Sequence, residues 1–402
     1  MNDMNQDIVL AINTGSSSIK ATLFRCKEKT VTRFINIEVK NIGREHPVIE
    51  IKRHDETSKS HPKKTIDTKE GFKEIFSLIE KEIGIEHIKC IGHRYVHGGN
   101  TFRIPTRINS SVLENLSGLN SLAPLHNPYC LEGIDYTFKQ FGEEIPQFAI
   151  FDTAFFAQMP KRASLYAIPH GLTEKYHFYR YGFHGISHHY LWRRYSEEIR
   201  AQGRIITLHL GNGCSATAIN NGCAMDTSMG FTPLEGLMMG TRSGDIDPSV
   251  LSFLCEKEGL QIKKALEILN TQSGLLGVSG ISSDMVKVIS AMDHDEKARF
   301  AVDLFCYRIK KYIGAFTSVL EGVDALVFSG GIGENSPLIR ERILQEVSWL
   351  GFSLDPEANT KAISLDSGQV ARISKIDSPM NAYVIATDEN ASIAIQSLES
   401  LD

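Results

Sequence analysis

The 402-residue sequence lacks several features that mark other classes of protein. No apolar run approaches the roughly 18 to 20 residues of a membrane-spanning helix. The seven cysteines are scattered and include no C-x-x-C pair, which argues against zinc sites and disulfide frameworks, so we expect all seven to be packing residues. The net charge of -5 at pH 7 offers no extended basic surface. These absences predict a cytoplasmic protein that binds neither membranes nor nucleic acid.

Two common nucleotide-binding signatures are also missing. No Gly-Lys-Ser or Gly-Lys-Thr follows a glycine-rich turn, so the chain has no P-loop. The nearest approach to a dinucleotide fingerprint is the glycine cluster Ser329–Ser336, in which Ser336 stands where the last glycine would be. This cluster follows a buried-strand pattern, Ala325–Phe328, and precedes a helix that we expect to begin at Pro337 with Ser336 as its cap. The arrangement suits the purine end of a nucleotide.

Length and patterning indicate two α/β domains. A chain of 402 residues with 42% hydrophobic residues can fill two cores, whereas one core rarely grows so large. Runs rich in Ile, Val, Leu and Phe alternate with helical patterns, such as the apolar spacing along Phe72–Ile83 and along Asp295–Leu320. The polar stretch Lys52–Lys69 predicts an exposed loop or ribbon.

A strand, a turn rich in Gly, Ser, Asn or Thr, and a second strand occur twice, almost half a chain apart. The first turn is Asn13–Ser18 after Ile8–Ile12, and the second is Gly211–Ser215 after Arg204–Leu210. Turns of this composition can direct backbone N–H groups and hydroxyls toward an anion. One such turn alone is usually an ordinary β-hairpin. The repetition instead predicts two cradles that hold a polyphosphate from both sides.

Further polar clusters lie in loops punctuated by Gly or Pro, where catalytic groups concentrate. They are His93–Gly99, Ala123–Pro128, Phe151–Thr153, Tyr181–Gly185 and Gly240–Asp245. Their arginine, histidine and aspartate residues are the types that phosphoryl transfer between two anions requires. Each cluster taken alone is more often structural, so the functional prediction depends on their combination.

Together these segments resemble the acetate kinase family, in the superfamily of acetate and sugar kinases, heat-shock ATPases and actin. The similar motifs are Asn13–Lys20, His93–Gly99, Leu125–Pro128, Phe151–Phe155, Tyr181–Gly185, His209–Gly213 and Asp226–Pro248. The resemblance implies an α/β fold of duplicated ribonuclease-H-like, actin-like ATPase domains with an interdomain nucleotide cleft, and a homodimer. We expect an N-terminal domain at residues 1–151 plus 385–402 and a C-terminal, nucleotide-binding domain at residues 152–384.

The activity implied by the resemblance is reversible, Mg²⁺-dependent phosphoryl transfer from ATP to acetate, which yields acetyl phosphate and ADP; Mn²⁺ is the alternative metal. An acetate-like carboxylate, with a pKa near the ~4.3 of Glu, is already an anion at neutral pH and needs no base. The barrier is repulsion between two anions, which cations and donors placed in line would lower. Arg94, Arg242 and His184 meet that need, and we expect direct in-line displacement.

The resemblance also implies individual roles. The catalytic residues are Asp152, His184, Arg242 and Arg94, with Arg94 on the carboxylate and Asp152 as a proton donor or acceptor. Because a substrate carboxylate has no proton to remove, we expect Asp152 instead to orient Arg94 or the metal. Substrate binding adds His126 and an apolar pocket of Val96, Leu125, Phe183 and Pro233, in which Val96 favours acetate over propionate. The nucleotide contacts are Lys20, His209, Leu210, Gly211, Asn212, Gly213, Asp284, Met285, Val286, Gly331, Ile332, Gly333, Glu334 and Asn335. The metal residues are Asn13 and Glu389, whose oxygen atoms suit a hard divalent cation.

Other functions remain open from the sequence. The chain could be a kinase whose acceptor is propionate, a different short-chain acid or a sugar. It could also be a non-catalytic ATP-gated binding protein. A sugar kinase needs a polar pocket and a base for a hydroxyl group, whereas the candidate pocket is apolar. A binding protein leaves Arg94, Arg242 and His184 without a task.

Overall fold

The computed structural model describes residues 7–28, 30–53, 56–62, 64–199 and 202–401. The chain divides into two units. The first comprises Met1–Ala157 and Asp388–Asp402, and the second comprises Gln158–Thr387. Among the described residues, each unit is built on its own β-sheet.

The elements are numbered in chain order. The strands are β1 (Ile8–Thr14), β2 (Ser18–Lys27), β3 (Thr30–Lys40), β4 (Val48–Arg53), β5 (Glu56–Ser60), β6 (Ile88–Tyr95), β7 (Thr106–Arg107), β8 (Gln147–Phe151), β9 (Arg204–Leu210), β10 (Cys214–Asn220), β11 (Cys223–Thr227), β12 (Ala325–Ser329), β13 (Val370–Arg372) and β14 (Asn381–Ile385). The α-helices are α1 (Thr68–Glu82), α2 (Ser110–Ser117), α3 (Asn127–Phe141), α4 (Lys161–Ser164), α5 (His170–Tyr176), α6 (Gly185–Ile199), α7 (Pro248–Glu258), α8 (Ile262–Thr271), α9 (Gly274–Ser279), α10 (Met285–Ala291), α11 (Glu296–Val319), α12 (Gly330–Asn335), α13 (Pro337–Glu346), α14 (Pro356–Lys361) and α15 (Glu389–Glu399). Short 3-10 helices occur at Ile85–His87, Ala154–Phe156 and Ser348–Leu350.

One five-strand arrangement occurs in both units. The strand order of the first sheet is β5-β4-β3-β2-β1-β6-β8-β7, and that of the second is β11-β10-β9-β12-β14-β13. In each sheet an antiparallel run of three strands, β3-β2-β1 or β11-β10-β9, continues into two parallel strands, β6-β8 or β12-β14. This repetition confirms the predicted α/β fold of duplicated domains.

Both predicted glycine-rich turns connect the first two strands of their sheet. In the β1–β2 turn, the N–H of Gly15 donates to the carbonyl of Ser18 at 2.8 Å. In the β9–β10 turn, the N–H of Gly211 donates to the carbonyl of Gly213 at 3.0 Å. The two turns therefore occupy the same position in the repeated arrangement, as the sequence repeat predicted.

The two helices predicted from apolar spacing are confirmed, and both begin at an aspartate cap. Before α1, the side chain of Asp67 accepts the N–H of Glu70 while the Glu70 carboxylate accepts the N–H of Asp67, which satisfies two backbone donors. Before α11, the Asp295 side chain accepts two backbone N–H groups. The apolar face of α1 includes the buried Phe72 and Ile75. Burying such a side chain stabilises the fold by about 1.5–3 kcal/mol.

Helix α15 returns the end of the chain to the first unit, where it packs against β1 and β6. Its cap, Asp388, accepts the N–H of Ala391 at 2.9 Å and a hydrogen bond from Arg33 at 2.6 Å. A side chain at Gly92 of β6 would clash with Ile393, since its Cβ would lie 2.7 Å from the Ile393 Cγ2. The charge of Glu389, the first residue of α15, acts on Arg94 and Asp152.

Four local expectations are corrected or refined by the structure. Cys223 is exposed at the start of the edge strand β11, so its prediction as a packing residue is wrong. The glycine cluster forms a short helix, α12, which the sequence did not predict. Ser336 precedes α13 as expected, but its side chain makes no capping hydrogen bond. Of the polar Lys52–Lys69 stretch, Glu56–Ser60 forms an exposed strand, as the ribbon alternative predicted.

In the described part of the chain, the helices include none with the length and hydrophobicity needed to traverse a bilayer.

Candidate functional site

The structure brings several of the predicted site residues together within each unit. In the first unit, Asn13 lies near the end of β1, Arg94 near the end of β6, and Asp152 directly after β8. These strands are parallel neighbours, so their carboxyl ends meet at one edge of the sheet. The sequence predicted all three residues, and the fold brings them together.

Asp152 holds the guanidinium of Arg94 along one edge. The Nη2 of Arg94 donates to Oδ2 of Asp152 at 2.7 Å, and its Nε lies 3.3 and 3.2 Å from the two carboxylate oxygens. The Asp152 side chain is 2% exposed, whereas that of Arg94 is 20% exposed. Nη1 of Arg94 faces Oδ1 of Asn13 at a long 3.5 Å. The Nη1 edge is therefore the part of Arg94 that can receive another anion.

Burial and charge oppose each other in this pair. Burial lowers the pKa of Arg94, but the carboxylates of Asp152 and Glu389 outweigh it and raise that pKa above its ordinary value. Burial raises the pKa of Asp152, and the adjacent Arg94 opposes that rise. The guanidinium therefore stays charged, and removing one partner would leave an uncompensated buried charge at a cost of about 3–5 kcal/mol.

The other predicted residues of the first unit differ in exposure. Val96, directly after β6, is 4% exposed, whereas Leu125 is 68% exposed. His126 is half-buried and precedes α3. Lys20 pairs with Asn13 across the β1–β2 hairpin, and its Nζ lies 3.7 Å from the Glu38 carboxylate. Lys20 is thus close to the Asn13 position.

The four residues predicted to form an apolar pocket are divided between the units. Val96 and Leu125 belong to the first unit, and Phe183 and Pro233 belong to the second. Phe183 is 1% exposed and directly precedes His184. The structure therefore does not assemble the predicted pocket within one unit.

In the second unit, two nitrogen-bearing side chains converge on the β9–β10 turn. A Cβ atom built on Gly213 would lie 3.2 Å from Nε2 of His184 and 3.7 Å from Nη1 of Arg242. The same Nη1 donates to the carbonyl of Pro233 at 2.9 Å. Burial lowers the pKa of Arg242. Arg242 forms no ion pair with a carboxylate of the described residues, so an anionic ligand at the turn would be its charge partner.

His184 is held in an unusual backbone conformation. Its φ of 59° lies in the left-handed region, which costs a residue other than glycine about 1–3 kcal/mol. Its Nδ1 lies 2.9 Å from Oγ of Ser215, and its ring centroid lies 4.5 Å from that of His209. Nδ1 of His209 in turn contacts Oγ of Ser187 at 2.9 Å. These contacts direct Nε2 of His184 toward the turn.

A cavity of ≈ 630 Å³ in the second unit collects most of the predicted nucleotide residues. Its lining comprises Gly211, Asn212, Ser283, Asp284, Met285, Val286, Ile289, Gly331, Ile332, Asn335, Ser336, Pro337 and Leu338. The cavity thus joins the β9–β10 turn, the start of α10 and helix α12. The sequence missed Ser283, Ile289, Pro337 and Leu338, although each lies close in the chain to a predicted motif.

Glu334 uses its side chain within the fold. Its Oε1 accepts hydrogen bonds from Oγ of Ser329 at 3.0 Å, from the N–H of Gly330 at 2.8 Å and from the N–H of Thr387 at 3.0 Å. Its carboxylate therefore stabilises the turn into α12. Asp284 likewise caps α10 by accepting the N–H of Val286 at 3.0 Å.

Sequence reasoning also missed Arg340, which is fully buried in α13. Its Nη1 donates to the carbonyls of Gly333 and Glu334, both at 2.8 Å, and its Nε donates to the side chain of Asn359 at 2.8 Å. Burial lowers the pKa of Arg340 to about 10. The arginine supports the end of α12 that lines the cavity. Its only sequence signal is an arginine directly after the apolar Ile339.

Comparisons with known proteins agree with this arrangement. The model of the acetokinase family matches residues 8–395. Acetate kinase of Solibacter usitatus is 42% identical over 409 residues, which cover 96% of each chain. Porphyromonas gingivalis acetate kinase has a TM-score of 0.90 at 38% identity, with 98% of this chain and 100% of that chain covered. A propionate kinase from Francisella tularensis has a TM-score of 0.89 at 37% identity, with 97% and 98% covered. The chain therefore belongs to the acetokinase family and is a phosphotransferase.

Proposed function

We propose that the chain is an acetate kinase, which reversibly transfers the γ-phosphoryl group of ATP to acetate and forms acetyl phosphate and ADP. The main support is the Arg242 guanidinium beside His184 at the Gly213 turn, without a carboxylate partner among the described residues. A desolvated guanidinium is most useful where negative charge develops during the reaction. This feature suits phosphoryl transfer better than ATP-gated binding.

Arg94 is the proposed carboxylate ligand. Asp152 already occupies its Nε and Nη2 edge and fixes the guanidinium plane, while Nη1 has only a long contact with Asn13. Because acetate is an anion at neutral pH, Asp152 has no proton to remove from it and acts by orienting Arg94. Family resemblance assigns substrate binding to five further residues: Val96, His126, Leu125, Phe183 and Pro233.

The nucleotide is proposed to bind in the cavity of the second unit. Ile332, Met285, Val286 and Leu338 supply apolar surface for a base, and the Gly211–Gly213 turn supplies backbone N–H groups for phosphates. The proposed site is completed by His209, Leu210, Asn212, Asp284, Gly331, Gly333, Glu334 and Asn335. Lys20 is assigned to the phosphates by resemblance alone. Glu334 is proposed to support nucleotide binding indirectly, because its carboxylate stabilises the turn into α12.

The oxygen donors of the first unit fit Mg²⁺, with Mn²⁺ as the alternative. Asn13 offers an amide oxygen and Glu389 a carboxylate, and the charge of Glu389 acts on both Arg94 and Asp152. Among the described residues no group of three or more His, Cys, Asp or Glu side chains could hold a metal ion. Mg²⁺ usually takes one or two protein ligands together with water and substrate phosphates, so this small donor set is appropriate. When bound, the metal would neutralise phosphate charge.

Propionate is the second candidate substrate, since a propionate kinase is among the similar structures. Val96 is buried directly after β6, and we retain it as the residue that favours the smaller acid. One extra methylene in an apolar pocket changes the transition-state energy by only about 1–3 kcal/mol. Propionate is therefore expected to be a poorer substrate, not an excluded one.

An assay of the purified protein with Mg²⁺, ATP and one of four acceptors tests the proposal. The acceptors are acetate, propionate, butyrate and glycerol, and hydroxylamine traps any acyl phosphate that forms. We expect acyl hydroxamate from acetate with the highest kcat/KM, and a value about 10- to 200-fold lower for propionate. A higher value for propionate would favour the second candidate. Phosphorylated glycerol, or no transfer to any acceptor, would contradict carboxylate kinase activity.

A homodimer is proposed from the family resemblance alone, and a cytoplasmic location is proposed from the seven scattered cysteines, which favour a reducing compartment. Light scattering of the purified protein measures the first property, and fractionation of cells measures the second.

A further inference from the structure

Hydrogen bonds connect four side chains from the interior of the second unit to the Gly213 turn. Oγ1 of Thr207 lies 2.7 Å from Nδ1 of His188, and Nε2 of His188 lies 2.8 Å from Oγ of Ser215. The same Ser215 oxygen lies 2.9 Å from Nδ1 of His184. Thr207, His188 and Ser215 are fully buried. The proposed phosphoryl transfer gives His188 no direct task, although a buried imidazole is costly unless it is hydrogen-bonded.

The local fold explains why these groups meet. His184 precedes α6, and the N–H of His188 donates to the His184 carbonyl at 2.9 Å in the first turn of that helix. His184 itself lies outside the helix, with a φ of 59°, and its imidazole contacts the same neighbour as that of His188. That neighbour is Ser215, in β10, which pairs with β9 where Thr207 lies. One serine hydroxyl therefore contacts both rings.

The direction of the hydrogen bonds follows from counting protons. The Thr207 hydroxyl can donate to the carbonyl of Thr217 at 3.5 Å or to Nδ1 of His188 at 2.7 Å, and the shorter contact is the better hydrogen bond. Burial, and then the neighbouring His209, lower the pKa of His188 well below its ordinary value, so this ring is neutral and has one N–H. Because Nδ1 accepts, Nε2 of His188 bears the proton.

The remaining steps fix the proton on His184. Nε2–H of His188 donates to Oγ of Ser215, so the Ser215 proton is free to donate to Nδ1 of His184. A neutral His184 then bears its proton on Nε2, the atom 3.2 Å from the Cβ position of Gly213. We propose that His188, acting through Ser215, is a positioning residue that fixes His184 as the Nε2–H tautomer and so directs a hydrogen-bond donor at the transferring phosphoryl group. The role of this donor toward the phosphoryl group rests on the proposed function.

The hydrogen-bond distances favour a proton on Nε2 of His184 over one on Nδ1. Arg242 already supplies a cation at the same turn, the ring centroid of His209 lies 4.5 Å from that of His184, and His188 contacts the same Ser215 hydroxyl as His184. A proton on Nδ1 of His184 would reverse the direction of each hydrogen bond from His184 through Ser215 and His188 to Thr207. The Thr207 hydroxyl would then have to donate to the carbonyl of Thr217, 3.5 Å away. The geometry therefore selects one tautomer, as second-layer contacts do for many functional histidines.

Nitrogen NMR of the full-length protein labelled with ¹⁵N-histidine tests the tautomer directly, with the His184 signals assigned by their loss in His184→Gln. At pH 7 we expect a protonated Nε2 and an acceptor Nδ1 in the wild type. Ser215→Ala should give a mixture of both tautomers, whereas Ser215→Thr, which keeps the hydroxyl, should retain the wild-type pattern. The matched control is Thr217→Val, which removes a buried hydroxyl of the same strand that contacts Thr227 instead. A wild-type proton on Nδ1, or an unchanged pattern in Ser215→Ala, would overturn the proposal.

Kinetics separate this inference from the proposed function. With acetate and ATP, Ser215→Ala should lower kcat about tenfold, with the KM for ATP changed by less than about twofold, because a lost hydrogen bond misdirects the donor without removing a ligand. Ser215→Thr should restore kcat. Equal losses in both serine variants would contradict a role through the hydroxyl. Absence of acyl phosphate with the wild type would overturn the proposed function, while the tautomer would still be decided by NMR.

Discussion

A Cβ atom on Gly213 would stand 3.2 Å from both Cε1 and Nε2 of His184, so the imidazole packs closely against the turn. The same atom would also approach Arg242. The ring and the guanidinium are side-chain ends that can shift by a few tenths of an ångström. A methyl group there would therefore move the proposed catalytic groups more than it would disturb the fold.

Gly213→Ala should lower kcat for acetyl phosphate formation about 10- to 100-fold, because small misplacements of positioned groups are costly in transfer reactions. The midpoint of thermal unfolding should change little. Gly314→Ala is the matched control, since a Cβ at that position of α11 meets nothing within 4 Å. A wild-type kcat in Gly213→Ala would show that His184 and Arg242 do not act at this turn.

Arg94→Lys should lower kcat/KM for acetate about 100-fold or more, with little change in the KM for ATP. Lysine keeps the charge, but it cannot contact Asp152 with one edge and a carboxylate with the other. Initial rates at varied acetate and at varied ATP measure the two effects separately. The exposed Arg107→Lys serves as control and should behave as the wild type. A loss confined to ATP would reject Arg94 as the carboxylate ligand.

Two neighbouring glycines should separate binding from folding. A Cβ on Gly331 meets nothing within 4 Å, and Gly331 lines the ≈ 630 Å³ cavity. Gly331→Leu should fill this space and raise the KM for ATP about tenfold or more, with the KM for acetate unchanged, whereas Gly331→Ala should be mild. Rates at varied ATP check this, and an unchanged KM in Gly331→Leu would place the nucleotide elsewhere.

Gly330→Ala should instead destabilise the protein. Gly330 has a φ of +75°, and its Cβ would lie 2.7 Å from the backbone carbonyl oxygen of Leu210. The strained backbone should cost about 1–3 kcal/mol of unfolding free energy. Thermal unfolding of Gly330→Ala and Gly331→Ala tests this difference: only Gly330→Ala should lower the unfolding midpoint.

The buried His93 should make the stability of the protein depend on pH. Its Nε2 contacts Oε1 of Gln147 at 3.0 Å, and burial lowers the pKa of His93 to about 4 although that contact opposes the shift. The unfolded chain takes up this proton near pH 6.5 and the native state only near pH 4, so unfolding becomes easier as the pH falls through that interval.

His93→Gln removes this contribution. The unfolding free energy of the wild type should fall relative to the variant by about 3 kcal/mol between pH 6.5 and pH 4, and by nothing further above or below. Urea titrations at several pH values measure the difference. The exposed His61→Gln should leave the pH dependence unchanged. A constant difference between wild type and His93→Gln would mean that the ring is not held neutral.

The local patterns of the sequence were sufficient for the hairpins and the long helices. The two glycine-rich turns were predicted because strand, turn and strand follow one another directly in the chain, and both lie at equivalent places in the two sheets. Helix α11 was predicted because its apolar period and the Asp295 cap are both local signals. The proposed catalytic residues came from family resemblance and from the charge that the reaction requires, and the fold places Arg94 against Asp152, the residue expected to orient it.

What the sequence could not provide depends on contacts between distant segments. The link between Ser215 and His188 joins a strand to a helix, and no spacing in the chain records it. In the glycine-rich helix α12, the Glu334 carboxylate accepts the N–H of Gly330 and also that of Thr387, more than fifty positions away. Arg340 is buried against carbonyl groups, which no residue-type pattern signals.

Phosphoryl transfer from ATP made chiral at the γ-phosphorus with oxygen isotopes tests the central claim most directly. Acetate should attack the phosphorus itself while Arg242 and His184 bind the transferring oxygens, so the acetyl phosphate should show inverted configuration. Retention of configuration would require a phosphorylated enzyme between two transfers and would contradict this account.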